Sequence, residues 1–284
     1  MPLLRGAARR DRAHLPPGER LPALSEDPLT TAELHVIGQL TDASNATWLT
    51  RLGDPERGPL AVYKPVAGER PLWDFPDGTL AARERAAYLV SELGGWHVIP
   101  RTVLRDGPAG PGMVQEWIGS IESENEGVIH LIRIGSDPAG LRPVLRATDD
   151  RGMPVLLAHE DTADVRSLAV LDAVLNNTDR KGAHAFRCAG QLYAVDHGVT
   201  FHHEPKLRTV LWGWGGKRLP ENEIQRLRSL LIALVEPGEQ AEEIRSHLTV
   251  REHEALLARV DHLIGTGRHP RPDGEWHAIP WPPI

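Results

Sequence analysis

The feature that most constrains the fold is the spacing of apolar segments, which changes part-way along the chain. Between residues 31 and 118, short β-favouring runs are separated by clusters of Gly, Pro, Asp, Asn and Ser. The runs are ELHVIGQL, ATWLTRL and LAVYKPV, and later HVIPRTVLR and GMVQEWI. Such runs bounded by turn residues predict a three-stranded meander and then a hairpin. Between them, residues 79–93 contain no Gly or Pro and stop at Gly94 and Gly95, which predicts a helix.

Beyond residue 118 the pattern becomes mainly helical. The predicted elements are a polar loop at 121–127, a helix at 161–175, a loop at 176–184, a short strand with its turn at 191–198, and helices at 220–234 and from Thr249 to near Gly265. Pro220 suits the first position of a helix. Thr249 and Glu252 have the spacing of a capping box. No other element is predicted within residues 119–160.

These patterns predict an α+β fold with two lobes. Residues 29–118 are the predicted N-lobe, an antiparallel sheet with one helix, and residues 119–284 are the predicted, mainly helical C-lobe. Residues 1–28 carry Arg and Pro with few apolar residues, which predicts a flexible N-terminal arm. The tail after Gly267 is rich in Pro and Trp, which predicts an extended strap over the body.

Composition excludes several classes of protein. The chain of 284 residues has 32 Lys and Arg against 39 Asp and Glu, a net charge of −7, which argues against bulk nucleic-acid binding. The lone cysteine, Cys188, excludes an internal disulfide and is typical of a reducing cytoplasm. The N-terminus lacks an apolar signal core, and no apolar run approaches the ~20 residues that span a bilayer. We therefore expect a cytoplasmic protein without stable membrane insertion.

A lysine and a glutamate in the first half are candidates for phosphate binding. Lys64 ends the predicted strand LAVYKP and could project its ammonium towards a phosphate. Glu84 lies in the predicted helix 20 residues later, and a helix packed on the sheet would bring its carboxylate to the lysine. Taken singly, each residue is better explained as an ordinary one, a surface lysine and a solvated helical glutamate.

Two aspartates in the second half complete the pattern. Asp179 lies in the loop NNTDRKGAH, where it could accept a proton from a hydroxyl. Arg180, as a catalytic residue, and Lys181 would add positive charge beside the charge that develops on the phosphate. Asp196 ends the strand LYAVDHG, where a carboxylate could hold Mg²⁺. Each is alternatively an ordinary turn residue. The order of strand lysine, helix glutamate, loop aspartate and Asp-x-Gly favours a two-lobed kinase.

With these motifs the sequence resembles the phosphatidylinositol 3/4-kinase-like group of atypical kinases, especially the type II phosphatidylinositol 4-kinases. It is also similar to the HipA-type bacterial kinases, and most similar to an actinobacterial family of kinase-like proteins. The stretches that carry this resemblance are NTDRKGAH, VDHGVTFH and KLRTVLWGW. It extends over about residues 33–235.

The resemblance implies a role for each residue, with ATP and Mg²⁺ or Mn²⁺ as cofactors. Lys64 would bind the α- or β-phosphate, Glu84 would anchor Lys64, Asp179 would be the catalytic aspartate and Asp196 the main metal ligand. The residues implied to contact the nucleotide are Ser44 and Asn45 at the phosphates, and Gln115, Glu116, Trp117 and Ile118 at the adenine.

One position departs from the related kinases, which have an asparagine metal ligand five residues after the catalytic aspartate. This chain has His184 there, and imidazole is a poor ligand for Mg²⁺. A metal site is therefore lost, a different metal is used, or His184 contacts phosphate. The substitution leaves nucleotide binding possible and places the activity in question.

Basic residues near the predicted site are candidates for binding an acidic acceptor. They are Lys181, Lys206 and Arg208, with Trp212 and Trp214 close by. The two tryptophans belong either to the core or to a membrane interface.

The leading hypothesis is a phosphotransferase that moves the γ-phosphate of ATP to a hydroxyl of an unknown acceptor. We expect a small molecule or a protein as the acceptor rather than a lipid. The alternative is a nucleotide-binding pseudokinase that acts through a protein partner. Transfer of AMP by the same fold is a third reading.

Overall fold

The computed structural model describes residues 27–40, 45–76, 78–122, 125–149, 151–272 and 277–284. Residues 1–26 of the predicted arm lie outside the described residues. Ser44, which was predicted to contact the phosphates, also lies outside them. The last two residues assigned to that arm belong to the body, because Pro28–Thr31 form a short helix, α1. Asp27 caps this helix and forms an ion pair with Arg101.

The first half contains a five-stranded antiparallel sheet in the order β1-β2-β3-β5-β4. Its strands are β1 (Leu34–Gln39), β2 (Trp48–Leu52), β3 (Leu60–Pro65), β4 (Thr102–Gly107) and β5 (Gly110–Glu116). Strand β3 alternates between buried and half-buried residues, so Tyr63 faces the core while Lys64 faces the opposite side. Gly107 permits close packing at the hairpin, because a Cβ there would lie 2.6 Å from the Tyr63 ring.

Helix α2 (Leu80–Leu93) packs on this sheet and joins the two halves of the molecule. Glu69 accepts hydrogen bonds from the first backbone N–H groups of α2 through both carboxylate oxygens. Arg83 of α2 forms a buried 2.6 Å ion pair with Glu252, far along the chain. The meander, helix and hairpin predicted for the N-lobe are therefore present.

Two smaller sheets follow, and the sequence did not predict most of their strands. One has the order β7-β9-β8 and the other β11-β10-β6. Their strands are β6 (Glu126–Gly127), β7 (Ile129–Arg133), β8 (Leu141–Thr148), β9 (Pro154–Glu160), β10 (Ala185–Cys188) and β11 (Gln191–Ala194). Only β11 was predicted. Strand β8 was not predicted because it contains Pro143. An edge strand with a bulge at that position tolerates a proline.

The remaining elements are helical, which confirms the predicted α+β class. They are α3 (Ala163–Leu175), α4 (Glu221–Val235), α5 (Glu239–Ser246) and α6 (Val250–Thr266). Pro220 precedes α4 as its N-cap rather than occupying its first turn. Thr249 and Glu252 form the predicted capping box of α6. The largest core cluster combines apolar residues of α2, α3, α4 and α6.

The C-terminal residues cross the surface of the second half in an extended conformation. The Ala278 carbonyl accepts hydrogen bonds from Thr209 N–H and from the Trp212 indole. The Pro283 carbonyl accepts one from Gly182 N–H. The tail therefore contacts both the loop after α3 and the segment near Thr209.

His269 makes the stability of this half depend on pH. Burial, assisted by Arg166 and Arg142, lowers the pKa of His269 to about 4, while an unfolded histidine titrates near 6.5. Below pH 6.5 the unfolded chain takes up a proton that the folded state resists. The free energy of unfolding should therefore fall as pH falls from about 6.5 to 4, by on the order of 3 kcal/mol from this group.

Urea denaturation at pH 7, 5.5 and 4.5 measures this effect. We expect the fall to be smaller in His269→Gln and unchanged in the control His262→Gln, whose side chain is exposed. An equal fall in wild type and His269→Gln would contradict the assignment.

Candidate active site

A cleft of about 980 Å³ lies between the five-stranded sheet and the second half of the chain. The predicted site residues that line it are Asn45, Lys64, Glu84, Gln115, Glu116, Trp117, Ile118, Asp179, Lys181, His184, Asp196 and Arg208. Arg180 and Lys206 do not line it. The structure thus brings together residues that are separated by more than 100 positions in the sequence.

Lys64 is the centre of the charged group in this cleft. Its Nζ lies 2.7 Å from Glu84 Oε1 and 2.8 Å from Asp196 Oδ1. Burial disfavours the charged ammonium, but the two carboxylates outweigh it and raise the pKa of Lys64. The positive charge of Lys64 in turn holds the pKa of Asp196 far below its usual range. Both groups are therefore charged at neutral pH.

Glu84 is buried in α2 and connects three elements. Its Oε1 binds Lys64 of β3, and its Oε2 accepts a 2.9 Å hydrogen bond from the backbone N–H of His197. Asp196, just before His197, has a φ of 60°, a conformation that costs free energy for a residue with a side chain. The hydrogen bond that Glu84 accepts from the His197 N–H helps to hold this strained turn after β11.

Asp179 lies in the loop that follows α3. The Asn177 side chain accepts a 3.0 Å hydrogen bond from the Asp179 N–H, which fixes the backbone of the loop. Asp179 Oδ2 lies 2.9 Å from Lys181 Nζ, and both side chains are partly exposed to the cleft. Asp179 therefore presents a carboxylate to the cleft beside the long cationic side chain of Lys181.

Arg180 does not have the role predicted for it. Its side chain is 0% exposed and points away from the cleft, where it binds both oxygens of Asp172. It also donates to the carbonyls of His184 and Val195 and to His197 Nε2. A cation enclosed in this way cannot meet a phosphate, so Arg180 positions the loops that carry Asp179 and Asp196.

His184 faces Asp196 across 3.3 Å, from Nε2 to Oδ2. The other ring nitrogen, Nδ1, lies 3.0 Å from the Asp179 carbonyl, which only accepts hydrogen bonds, so Nδ1 carries a proton. Burial lowers the pKa of His184, although Asp196 opposes this. The neutral ring therefore directs the Nε2 lone pair towards a carboxylate, an arrangement that a bound cation would stabilise.

The four residues predicted to contact adenine are at the edge of the cleft, but they are not equally available. The backbone N–H groups of Glu116 and Trp117 donate to Arg101 and Leu60 within the sheet. The Gln115 side chain donates to Thr102. No acceptor among the described residues faces the N–H of Ile118, which leaves this group available to a ligand.

Lys206 also differs from its prediction as a residue that binds the acceptor. It is buried, and its Nζ lies 3.0 Å from Asp74 Oδ2 and 4.7 Å from the centre of the Trp73 ring. These contacts fasten the loop before α2 to the second half of the chain. Lys206 therefore has a structural role at the cleft wall.

Several residues that line the cleft were not singled out from the sequence, among them Arg70, Trp73, Asp74 and His277. Trp73 is 84% exposed, which is unusual for so large an apolar side chain. The stretch PLWDFP, with an aromatic and an acidic residue between two prolines, was the sequence signal that could have identified Trp73 and Asp74.

Trp214 is buried, which places it in the core rather than at a membrane interface.

Comparison with known proteins identifies a close relative. Protein Rv2133c of Mycobacterium tuberculosis is 44% identical over 263 residues, covering 89% of this chain and 93% of that protein. This chain belongs to the Rv2133c family. The relative is actinobacterial, which confirms that part of the predicted resemblance. No model of a known protein family matches the chain.

Two solved structures are similar in fold at low sequence identity. The Golgi casein kinase has a TM-score of 0.43 and 13% identity, with 86% of this chain and 78% of that chain covered. The Helicobacter pylori proinflammatory kinase CtkA has a TM-score of 0.41 and 11% identity, with 84% and 94% covered. Because both TM-scores are below 0.5, these two structures do not support a conclusion about the function of this chain.

Two kinds of feature are absent from the described residues. Among the described residues, no three His, Cys, Asp or Glu side chains converge as a metal-binding group. None of the helices in the described part of the chain combines the length and apolar composition that crossing a bilayer requires.

Proposed function

We propose that this chain transfers the γ-phosphoryl group of ATP to a hydroxyl group. The observation that carries the proposal is the placement of Lys64 between Glu84 and Asp196, at 2.7 and 2.8 Å, in a cleft that Asp179 also lines. A strand lysine fixed by a helix glutamate is suited to hold nucleotide phosphates, and the carboxylates beside it suit phosphoryl transfer.

The nucleotide would lie along the cleft from Ile118 to Lys64. The free N–H of Ile118 would donate to the adenine ring, and Lys64 would bind the α- or β-phosphate. Asn45 lines the cleft near the phosphates and already accepts a hydrogen bond from the Arg70 N–H. A volume of about 980 Å³ is sufficient for a nucleotide and part of an acceptor.

The residues present suit one divalent cation bound together with ATP. Asp196 Oδ2 and His184 Nε2 would supply two ligands, and phosphate oxygens and water the others. Mg²⁺ is commonly held by one or two carboxylates plus substrate phosphates, and a nitrogen ligand is better suited to transition ions such as Mn²⁺. The cation would neutralise charge on the phosphates.

In the transfer, the acceptor oxygen forms a bond to the γ-phosphorus as the bond to the β–γ bridging oxygen breaks. ADP leaves, and the hydroxyl proton passes to Asp179 and then to solvent. Lys181, 2.9 Å from Asp179, would hold this carboxylate close to the reacting hydroxyl. Arg180 would act indirectly, by holding the loop backbone.

We propose an acidic small molecule or protein as the acceptor. Lys181 and Arg208 line the cleft. A guanidinium group is suited to an anionic group because it donates paired, charge-assisted hydrogen bonds. The resemblance to phosphatidylinositol kinases does not by itself select a lipid acceptor.

A nucleotide-binding pseudokinase is the second candidate, and His184 favours it. An asparagine at this position would supply an oxygen ligand to a second metal ion. In this chain the imidazole of His184 takes the place of that oxygen ligand. Such a protein would bind ATP and signal to a protein partner without turnover.

Thermal unfolding with ATP tests the nucleotide site. ATP at 100 times its dissociation constant, with Mg²⁺ or Mn²⁺, should stabilise the protein by about 2.7 kcal/mol. At roughly 2–4 °C per kcal/mol, the midpoint should rise by several degrees. The rise should require the metal ion and should disappear in Asp196→Asn, because this substitution removes the main metal ligand.

Asp106→Asn provides the control, since Asp106 is exposed at the end of β4. Its shift with ATP should equal that of wild type. If no nucleotide and metal combination shifts the wild-type midpoint, the proposed function is wrong.

A further inference from the structure

A second pocket, of about 510 Å³, lies in the C-terminal half and shares no lining residue with the cleft. It is lined by Gly216, His262, Leu263, Thr266, Arg268, His269, Pro270 and Arg271. It therefore lies between the turn before α4 and the C-terminal end of α6. Three of these side chains, Arg268, Arg271 and His262, are exposed and basic.

The wall of this pocket is a fixed piece of backbone. Residues 216–219 pair with residues 267–269, through Gly216 N–H to His269 O at 3.0 Å and His269 N–H to Lys217 O at 2.9 Å. A third bond joins Leu219 N–H to Gly267 O at 2.8 Å. Arg268 lies within this paired segment, and Arg271 follows the segment by two residues.

Two arginines meet at Gly216. Arg268 Nη1 donates to the Gly216 carbonyl at 2.8 Å. The Arg271 guanidinium lies in the space that a Cβ on Gly216 would occupy, and Gly216 has a φ of 73° that suits glycine. Among the described residues, no carboxylate lies within ion-pair distance of Arg268 or Arg271.

The surroundings of the pocket are positive, although the protein has a net charge of −7. Lys217 and Arg218 are exposed on the same turn, and Arg166 donates to the Arg218 carbonyl. His269, at the pocket floor, stays neutral because burial, Arg166 and Arg142 lower its pKa to about 4. Arg142 is paired with Asp161, so the positive charge at the pocket comes from Lys217, Arg218, Arg268 and Arg271.

We propose that this pocket binds a small phosphate-bearing molecule at a site separate from the cleft. Guanidinium groups bind phosphate oxygens through paired, charge-assisted hydrogen bonds. Arg268 and Arg271 both lie against Gly216, and together they would contact the phosphate group. Leu263 and Pro270 supply an apolar surface for the rest of the ligand. A pocket of this volume is within the range of small-molecule sites. The proposal is independent of the function proposed for the cleft.

Calorimetric titration with inorganic pyrophosphate at low ionic strength tests the proposal. Pyrophosphate is a probe for the phosphate group alone, and the Lys64→Met variant is used throughout to remove the lysine proposed to hold phosphate in the cleft. Lys181 and Arg208 still line the cleft in this background, so the pocket is recognised as the site that substitutions at Arg268 and Arg271 weaken. Adding Arg268→Gln and Arg271→Gln should weaken binding about tenfold or more, because charge-assisted hydrogen bonds are lost.

The matched control replaces two other exposed arginines, Arg228→Gln and Arg251→Gln, which have no hydrogen bond or ion pair among the described residues. Binding should stay within about twofold of the Lys64→Met background. Equal weakening in both double variants would indicate attraction by net charge alone and overturn the proposal, as would the absence of binding. If the Arg268 and Arg271 pair fails to fold, Arg271→Gln alone, at an exposed residue, serves the same comparison.

Discussion

If the chain has the proposed function, replacing Asp179 with Asn should slow phosphoryl transfer by about 10²–10⁴-fold and leave ATP binding almost intact. The substitution keeps the shape of the side chain and removes its charge, so the acceptor proton has no base to receive it. A positioned acid–base group contributes about 10²–10⁴-fold to rate, and we expect a loss in this range. Release of ADP with the candidate acceptors, measured beside the dissociation constant of ATP, separates the two effects.

Asp261→Asn is the control, because Asp261 is exposed on α6 and far along the chain from the cleft residues. It should show wild-type turnover. Wild-type turnover in Asp179→Asn would remove Asp179 from the mechanism. ATP binding by the wild type without any turnover on a broad set of acceptors would instead favour the pseudokinase.

The sequence predicted the cleft residues whose positions follow from local periodicity. Lys64 ends a strand with alternating burial, and Glu84 lies on a helix that follows it, so their meeting required only that the helix pack on the sheet. Arg180 and Lys181 could not be separated in the same way. They are adjacent, and which of them faces the cleft depends on Asp172, a partner inside α3 that the pattern does not identify.

Long-range contacts set the other limit on prediction. The contact of Lys206 with Asp74 joins residues 132 positions apart, so the basic sequence around Lys206 looked like an open surface. Strands β7 and β8 were missed because they are largely half exposed and carry charged residues, which weakens the apolar pattern. In both cases tertiary pairing, not local preference, determines the outcome.

Replacing Arg180 with Met is expected to cost the most stability of any single change considered. It leaves Asp172 as a buried charge without its cation, and such a loss costs about 3–5 kcal/mol. The carbonyls of His184 and Val195 also lose their donor. Equilibrium denaturation in urea measures the loss, and ATP binding should weaken with it because the loops of Asp179 and Asp196 lose their support.

A double substitution separates the charge effect from the packing effect. Arg180→Met combined with Asp172→Leu removes both charges, so the double variant should lose less stability than the sum of the two single variants. Arg187→Gln is the control, since Arg187 is partly exposed in its pairs with Glu160 and Asp164, and we expect a loss of about 1 kcal/mol. A loss in Arg180→Met no larger than in this control would mean that water or rearrangement compensates Asp172, and the buried pair would then not be what positions the loops of Asp179 and Asp196.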